Sequence, residues 1–446
     1  MAREPRAARE IVDLPGRRPL AVQIALSYDS LSAERQRAFR TIGFLDTPDV
    51  AVWAVAALLD RSVDEAERLL DHLVDIHLIM PGASAEASVL SRFQMHDLVR
   101  AFARERAEAQ DPRPERVEAV SRALRAYTVL AEHAYLRMEP DDIHKPNRSV
   151  SAAWWPAGDQ SVLTEILADP ARWFARERTC LIAAAEQAFQ LVQNDLAVQL
   201  TIALYGSFRV GAHWTSWQHV YSLALDAARL SDDRCTEAEV LLRLGDVYKN
   251  SGRVDGPGGT PIPDREDLIA ADLLEQSWEL FQRFGNAAGV VAVLRRLGGV
   301  YRDLGQYERS TVCYEQGLST AAQVPDPELA RAYLLRGRSA LLRMSGHPRE
   351  AVSGFAEALA TFRAHGDVRG EAGALRGVGE CWLILEDWEQ AHHCGLPQPT
   401  RRQRRPTSGG GFPSVAQAGQ RLSRRAGPVN SRSTTRTKPT NRTFGS

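Results

Sequence analysis

The chain has 446 residues, 44% of them hydrophobic and 25% charged, with a formal net charge of −1. That length allows two or three domains with sizeable cores, and the composition is that of a globular protein, not of a disordered or collagenous one. No apolar run is long enough to span a bilayer, the charged start has no signal-peptide core, and the five cysteines are an odd, scattered set. These features argue against a membrane span, a secretory leader and a disulfide framework, and point to a reducing cytoplasm.

In chain order, residues 1–19 carry many charges and few apolar side chains and are expected to be a disordered leader. A first module is expected over 20–110. Ser32 is a plausible N-cap for a helix from Ala33 to Leu45, with Phe39, Ile42 and Phe44 on its apolar side. Thr47-Pro48-Asp49 breaks that helix and starts another, over Val50–Leu59. Ser62-Val63-Asp64-Glu65 is a capping box, opening a helix with Ala66, Leu69, Leu70, Leu73 and Val74 inward. Leu78–Met80 and Arg92–Met95 flank Pro81-Gly82 and small polar residues, as a hairpin with a loose turn would. Asp97 is then expected to cap a helix running to Arg106. Three helices, a hairpin and a helix is winged-helix order. Residues 111–160 are expected to be a connecting helix, over 117–137, and a Pro- and Trp-containing loop.

Residues 161–391 repeat with a period of about 40 residues, longer than the ~34 of the usual tetratricopeptide unit. One packing slot is held by Tyr205, Gly245, Gly298, Ser339 and Gly379. Three residues later stand Phe208, Tyr248, Tyr301, Leu342 and Trp382. The following helix has Trp217, Ala270, Ser310, Ala351 and Ala391, with Tyr221, Leu274, Tyr314 and Phe355 four further on. Small residues let neighbouring helices approach and aromatics fill the space between turns, so Gly298 is expected to be a packing contact and not a hinge. The fold class expected is therefore mainly α: a winged-helix module followed by a tetratricopeptide-like solenoid. Its inner helices, near 238–249, 290–303, 331–344 and 371–384, should line a concave side that binds a protein or peptide.

The fifth repeat breaks off after Ala391. Residues 392–446 hold ten arginines, one lysine and no acid, so the near-neutral total conceals a tail of +11 on an acidic body. Two readings stay open: a shifted reading frame near codon 393, or a genuine disordered basic tail. Such a tail could bind nucleic acid non-specifically, though only Phe412 and Phe444 are there to stack on bases.

Candidate sites are few. The helix Asp64–His77 sets Asp64, Glu65, Glu67, Asp71 and Asp75 against Arg68, which argues against a DNA groove reader. His392-His393-Cys394 cannot all face one ion, so no metal site is expected. No Gly-Lys pair exists, and the three lysines are followed by Pro, Asn and Pro; a phosphate-cradling loop is therefore missing and no enzyme is expected.

The stretches Leu20–Pro48, Ala54–Ile79 and Arg92-Phe93-Gln94-Met95-His96-Asp97-Leu98 resemble the winged-helix part of NB-ARC signalling ATPases, of the STAND class. Met95-His96-Asp97 matches that family's sensor motif. Trp173-Phe174-Ala175-Arg176-Glu177-Arg178, continuing to Leu181 and Ala184, is similar to the start of the solenoid in AfsR-type actinobacterial regulators. The resemblance covers about residues 20–391. It implies a switch in which an upstream nucleotide-binding domain holds ADP or ATP, the histidine of the triplet contacts the phosphate, and the repeats sense an input. AfsR-type members also carry a DNA-binding activator domain and regulate secondary metabolism. Relative to that architecture the chain looks truncated at both ends, so Met95, His96 and Asp97 would contact nucleotide only if a nucleotide domain is supplied. Alternatives are a free-standing tetratricopeptide adaptor and a DNA-binding winged-helix transcription factor.

Overall fold

A computed structural model describes residues 18–82, 91–138, 163–165, 168–205, 214–251 and 265–395. Residues 1–17 of the expected leader, the turn of the hairpin, the Trp154-Trp155 loop, the Gly256–Pro261 insert and most of the basic tail lie outside them, while residues 18 and 19 already belong to the first helix.

The N-terminal part comprises α1 (Arg18–Asp29), α2 (Ala33–Gly43), β1 (Val50–Ala51), α3 (Val52–Leu59), α4 (Val63–Asp75), β2 (Met80–Pro81), β3 (Arg92–Gln94), α5 (Asp97–Gln110) and α6 (Arg113–Met138). Ser32 caps α2 by accepting from the Arg35 amide, and the Ser62–Glu65 capping box is formed at α4 in both directions. The strands make an antiparallel sheet of order β1-β3-β2, with Val50 opposite Phe93 and Met80 opposite Gln94. Two local expectations are corrected here. Val50 and Ala51 belong to a strand, not to the helix, because the edge of β3 offers them partners some 40 residues away that a local pattern cannot reveal. The α5 cap is His96 and not Asp97: the His96 Nδ1 accepts from the Leu98 amide at 3.2 Å, and Asp97 is the first helical residue.

The rest is helical: α7 (Pro170–Gln190), then the pairs α8 (Asn194–Ala203) with α9 (Trp214–Leu230), α10 (Arg234–Ser251) with α11 (Arg265–Arg283), α12 (Ala287–Asp303) with α13 (Tyr307–Thr320), α14 (Pro327–Met344) with α15 (Pro348–His365), and α16 (Val368–Ile384) with α17 (Trp388–His393). Successive first helices, α8, α10, α12, α14 and α16, touch one another, whereas the second helices make no comparable contact with each other. The first helices therefore form the tight, inner side of the solenoid.

The small–large rule operates as expected. A Cβ at Gly245 would fall 2.8 Å from Leu274, and one at Gly298 would fall 2.7 Å from the Tyr314 ring. The same ring is approached from the next repeat by Gly337, where a Cβ would lie 2.5 Å away. Tyr314 is thus held between two repeats by two glycines. Phe355 meets Gly377 in the same manner one repeat later.

The turn between paired helices is also periodic. Gly305, Gly346 and Glu386 occupy left-handed backbone at φ 72°, 91° and 60°, each seven residues after the packing slot. The next amide then closes the turn: Gln306 to the Tyr301 carbonyl at 2.8 Å, His347 to Leu342 at 2.8 Å, Asp387 to Trp382 at 3.0 Å. Only Glu386 carries a Cβ into this conformation, which costs an L-residue about 1 kcal/mol. Glu386→Gly should raise stability by up to about that amount, read as a higher urea midpoint; no change would mean the strain is relieved elsewhere.

One core runs without interruption from Ile24 through Trp53, Tyr127, Phe174 and Trp217 to Leu273. Helix α6 lies within it and is more than a connector: Ala119, Leu124, Tyr127, Leu130 and Tyr135 are all buried. It packs on α3 from the N-terminal part and on α7 and α8 from the solenoid.

Candidate functional site

Two places could carry function: the Met95-His96-Asp97 triplet and the inner side of the solenoid. The triplet sits where β3 hands over to α5. Met95 is buried and anchors the segment, while His96 and Asp97 are exposed. The His96 Nδ1 is engaged by the Leu98 amide, so Nε2 is the ring nitrogen left to meet a ligand. A phosphate site needs several amides or cations directed at one point. Here a single imidazole is followed in the chain by an acid, so the triplet does not build such a site within the described residues.

Close by, a buried ion cluster ties the sheet to the first solenoid helix. Arg92 on β3 pairs with Glu177 on α7 and with Asp49 ahead of β1, and its Nη2 lies 2.9 Å from the Cys180 sulfur. Burial pushes the Glu177 carboxyl above its ordinary range despite Arg92. Burial also works against the Asp49 charge, but the hydrogen bonds from Arg92 and Cys180 outweigh it and hold that carboxyl below its usual value. Burial drives the Cys180 thiol well up, so it stays protonated and unreactive. Gln187 adds a second tie, donating to the Phe44 carbonyl at 2.6 Å and accepting from the Asp46 amide at 3.1 Å.

The inner helices begin with a buried polar chain. Tyr205 donates to Asp246 at 2.7 Å, Arg296 pairs with the same carboxylate at 2.5 Å, and the Arg243 guanidinium lies 4.6 Å above the Tyr205 ring. Further along, Lys249, Arg302 and Arg343 recur four residues after the packing slot. Their charges meet acids: Lys249 and Arg302 lie 3.9 and 2.6 Å from Asp303, and Arg343 lies 3.1 Å from Glu380. A second basic row, Arg295, Arg336 and Arg376, recurs three residues before the slot. Its 41- and 40-residue spacing is that of the repeats, but an arginine at a helix position has the pattern of an ordinary solvated charge. On α4, by contrast, the outward residues Asp64, Glu65, Asp71 and Asp75 leave an acidic face with Arg68 among them.

Among the described residues no group of three His, Cys, Asp or Glu side chains is placed to hold a metal ion, and no helix is long and apolar enough to cross a membrane. All five cysteines are free.

A tetratricopeptide-repeat family model matches residues 289–364, which are α12 to α15. The regulatory protein AfsR of Streptomyces griseus is 27% identical over 322 residues, covering 66% of this chain and 32% of that protein. The AfsR of Streptomyces coelicolor is 31% identical over 234 residues, covering 52% and 22%. The chain thus spans about a third and about a fifth of these relatives' lengths. A STAND signal-transduction ATPase with a tetratricopeptide sensor, from Pyrococcus horikoshii, overlays loosely, with a TM-score of 0.39 and 14% identity over 86% of this chain and 55% of that one. The chain is similar to AfsR regulators and carries a tetratricopeptide region.

Proposed function

We propose that this AfsR-like chain is the non-catalytic sensing part of a regulatory switch, acting in the cytoplasm. Residues 20–110 form a winged-helix module that docks a nucleotide-binding domain, and the repeats over 161–391 bind a protein or peptide partner on their inner side. One observation carries the reading: the similarity to AfsR extends over two thirds of the chain, more than the repeats alone contain. The shared core through α6 supports it, because a partner held in the repeats then acts on a body that includes the triplet. The free, partly buried cysteines agree with a reducing compartment. ADP or ATP would belong to the supplied domain, with the His96 Nε2 edge turned toward its phosphate. The acidic outer face of α4 speaks against the DNA-binding alternative.

The test mixes this chain with a separately expressed nucleotide-binding domain of the NB-ARC kind, with and without ADP, and measures association by calorimetry. Association strengthened by ADP is expected. His96→Asn keeps a good capping side chain but removes the imidazole edge, and should weaken the ADP-dependent part about tenfold. Absence of association under both conditions would sink the reading.

A further inference from the structure

The segment that leaves α2, from Gly43 to Asp49, is gripped from two sides. On one side stands α5, the helix that His96 caps. Arg104 donates through Nε to the Gly43 carbonyl at 2.7 Å and pairs with Asp46. Arg100 donates to the Leu45 carbonyl and, at 2.9 Å, to that of Thr47. On the other side stands α7, the first helix of the solenoid. Gln187 donates to the Phe44 carbonyl at 2.6 Å and accepts from the Asp46 amide at 3.1 Å. Backbone groups of residues 43 to 47 thus go alternately to α5 and to α7. At the far end the Asp49 carboxylate meets Arg92 of β3 and accepts from the Cys180 thiol of α7 at 3.0 Å. Leu45, Thr47 and Gln187 are buried, and hydrogen bonds shielded from water are costly to break because no solvent partner replaces them. The start of the segment is also held sterically: a Cβ at Gly43 would lie 2.5 Å from that of Ala103, which sets α2 hard against α5. Otherwise α5 packs chiefly on α2, and α7 on α6 and α8. The segment is therefore a polar bridge between two helices whose main neighbours lie elsewhere.

We propose that residues 43–49 couple the repeats to the triplet: a shift of α7 on partner binding moves this segment and, through Arg100 and Arg104, the start of α5 that His96 caps. Gln187 is the positioning residue of the coupling, since one side-chain amide both donates to and accepts from the backbone of the segment and so carries it as a unit. An apolar residue there would let the segment slide. The inference rests on the reading of the repeats as the sensor and of His96 as the nucleotide-facing group, and it names the joint between them. Coupling of this kind is reciprocal, so a change at α5 is felt at α7 as strongly as the reverse.

The experiment is native-state hydrogen exchange on the full chain, read at the amides of Ala101, Phe102 and Ala103 in α5. Gln187→Met keeps the volume and removes both hydrogen bonds, and should speed exchange there about tenfold. Gln190→Met, exposed on the same helix, should change nothing. In a background of Arg100→Met with Arg104→Met, which frees α5 from the segment, adding Gln187→Met should alter α5 by less than about twofold. Should Gln187→Met lose the parent circular-dichroism melt, Arg100→Met alone gives the reciprocal reading: exchange at Ala184, Ala185 and Ala188 of α7 should rise. Faster exchange confined to residues 44–47 overturns the proposal, because the segment then absorbs the motion. So does an equal effect in both backgrounds, which would route the coupling through α6, where Arg116 lies 4.7 Å from the Phe44 ring. Acceleration everywhere, α14 and α15 included, overturns it as well, since Gln187 would then only hold the fold together. Association with the nucleotide-binding domain is measured separately, and Gln187→Met should weaken its ADP-dependent part. If the parent chain does not associate at all, the functional reading falls while the exchange data still decide the coupling.

Discussion

Arg92→Ala is expected to be the most damaging single substitution in the N-terminal half, at a cost of about 3–5 kcal/mol, because it leaves a buried acid without its partner. The Arg92 side chain is 9% exposed and that of Glu177 only 2%. Removing the guanidinium strands Glu177 beside Asp49, two acids in a poorly hydrated space. The wider the loss, the more Glu177 should take up a proton. Its folded pKa is already raised by burial, and an acid with a raised folded pKa favours the fold most below its ordinary titration range. That contribution is lost as pH rises through the raised value. The deficit of Arg92→Ala should therefore be smaller near about pH 5 than near about pH 8, and Glu177→Gln should restore part of it at the higher pH. Urea midpoints of the single and double variants at the two pH values test both statements. A loss under about 1 kcal/mol, independent of pH, would show the cluster to be well solvated.

Tyr314→Ala should cost about 3–5 kcal/mol, as deletion of a fully buried aromatic ring does. Its second effect is more diagnostic. The ring touches Gly298 in its own repeat and Gly337 in the next, so its removal weakens an interface as well as a unit. Stability in a solenoid is a sum of unit and nearest-neighbour terms, and the unfolding transition should broaden or split when one interface weakens. Gly337→Ala pushes a methyl group into the same ring and should cost about 1–3 kcal/mol. Combined with Tyr314→Ala, that methyl enters vacated space, so the double variant should lose less than the two singles together. Additive losses would show that Gly337 matters for a reason other than this ring.

The solenoid was legible in the sequence because its rule is local and periodic. Gly298 opposite Tyr314 follows from spacing alone, and so do the capping box at Ser62 and the cap at Ser32. Contacts made across long stretches of chain were not legible. Val50 and Ala51 pair with β3, 42 or so residues on, and Arg92 finds Glu177 in another part of the fold; neither leaves a periodic mark. At His96 the miss is chemical. An aspartate is the usual capping residue, yet here the preceding imidazole accepts the amide and Asp97 starts the helix. The arginine row was written in the sequence at the repeat spacing, but arginine reads as an ordinary solvated charge until the structure shows which acids lie within reach. The shared core through α6 was hidden for a related reason. An apolar helix announces that it is buried, not what buries it.

The glycine–aromatic contact has a consequence for how such an array can change its length. Phe355 fits against Gly377 as Tyr314 fits against Gly337, so removing or adding one whole period rejoins compatible surfaces. Duplication of a repeat would then lengthen the inner side by one helix, roughly 8–10 Å, without requiring a new kind of contact.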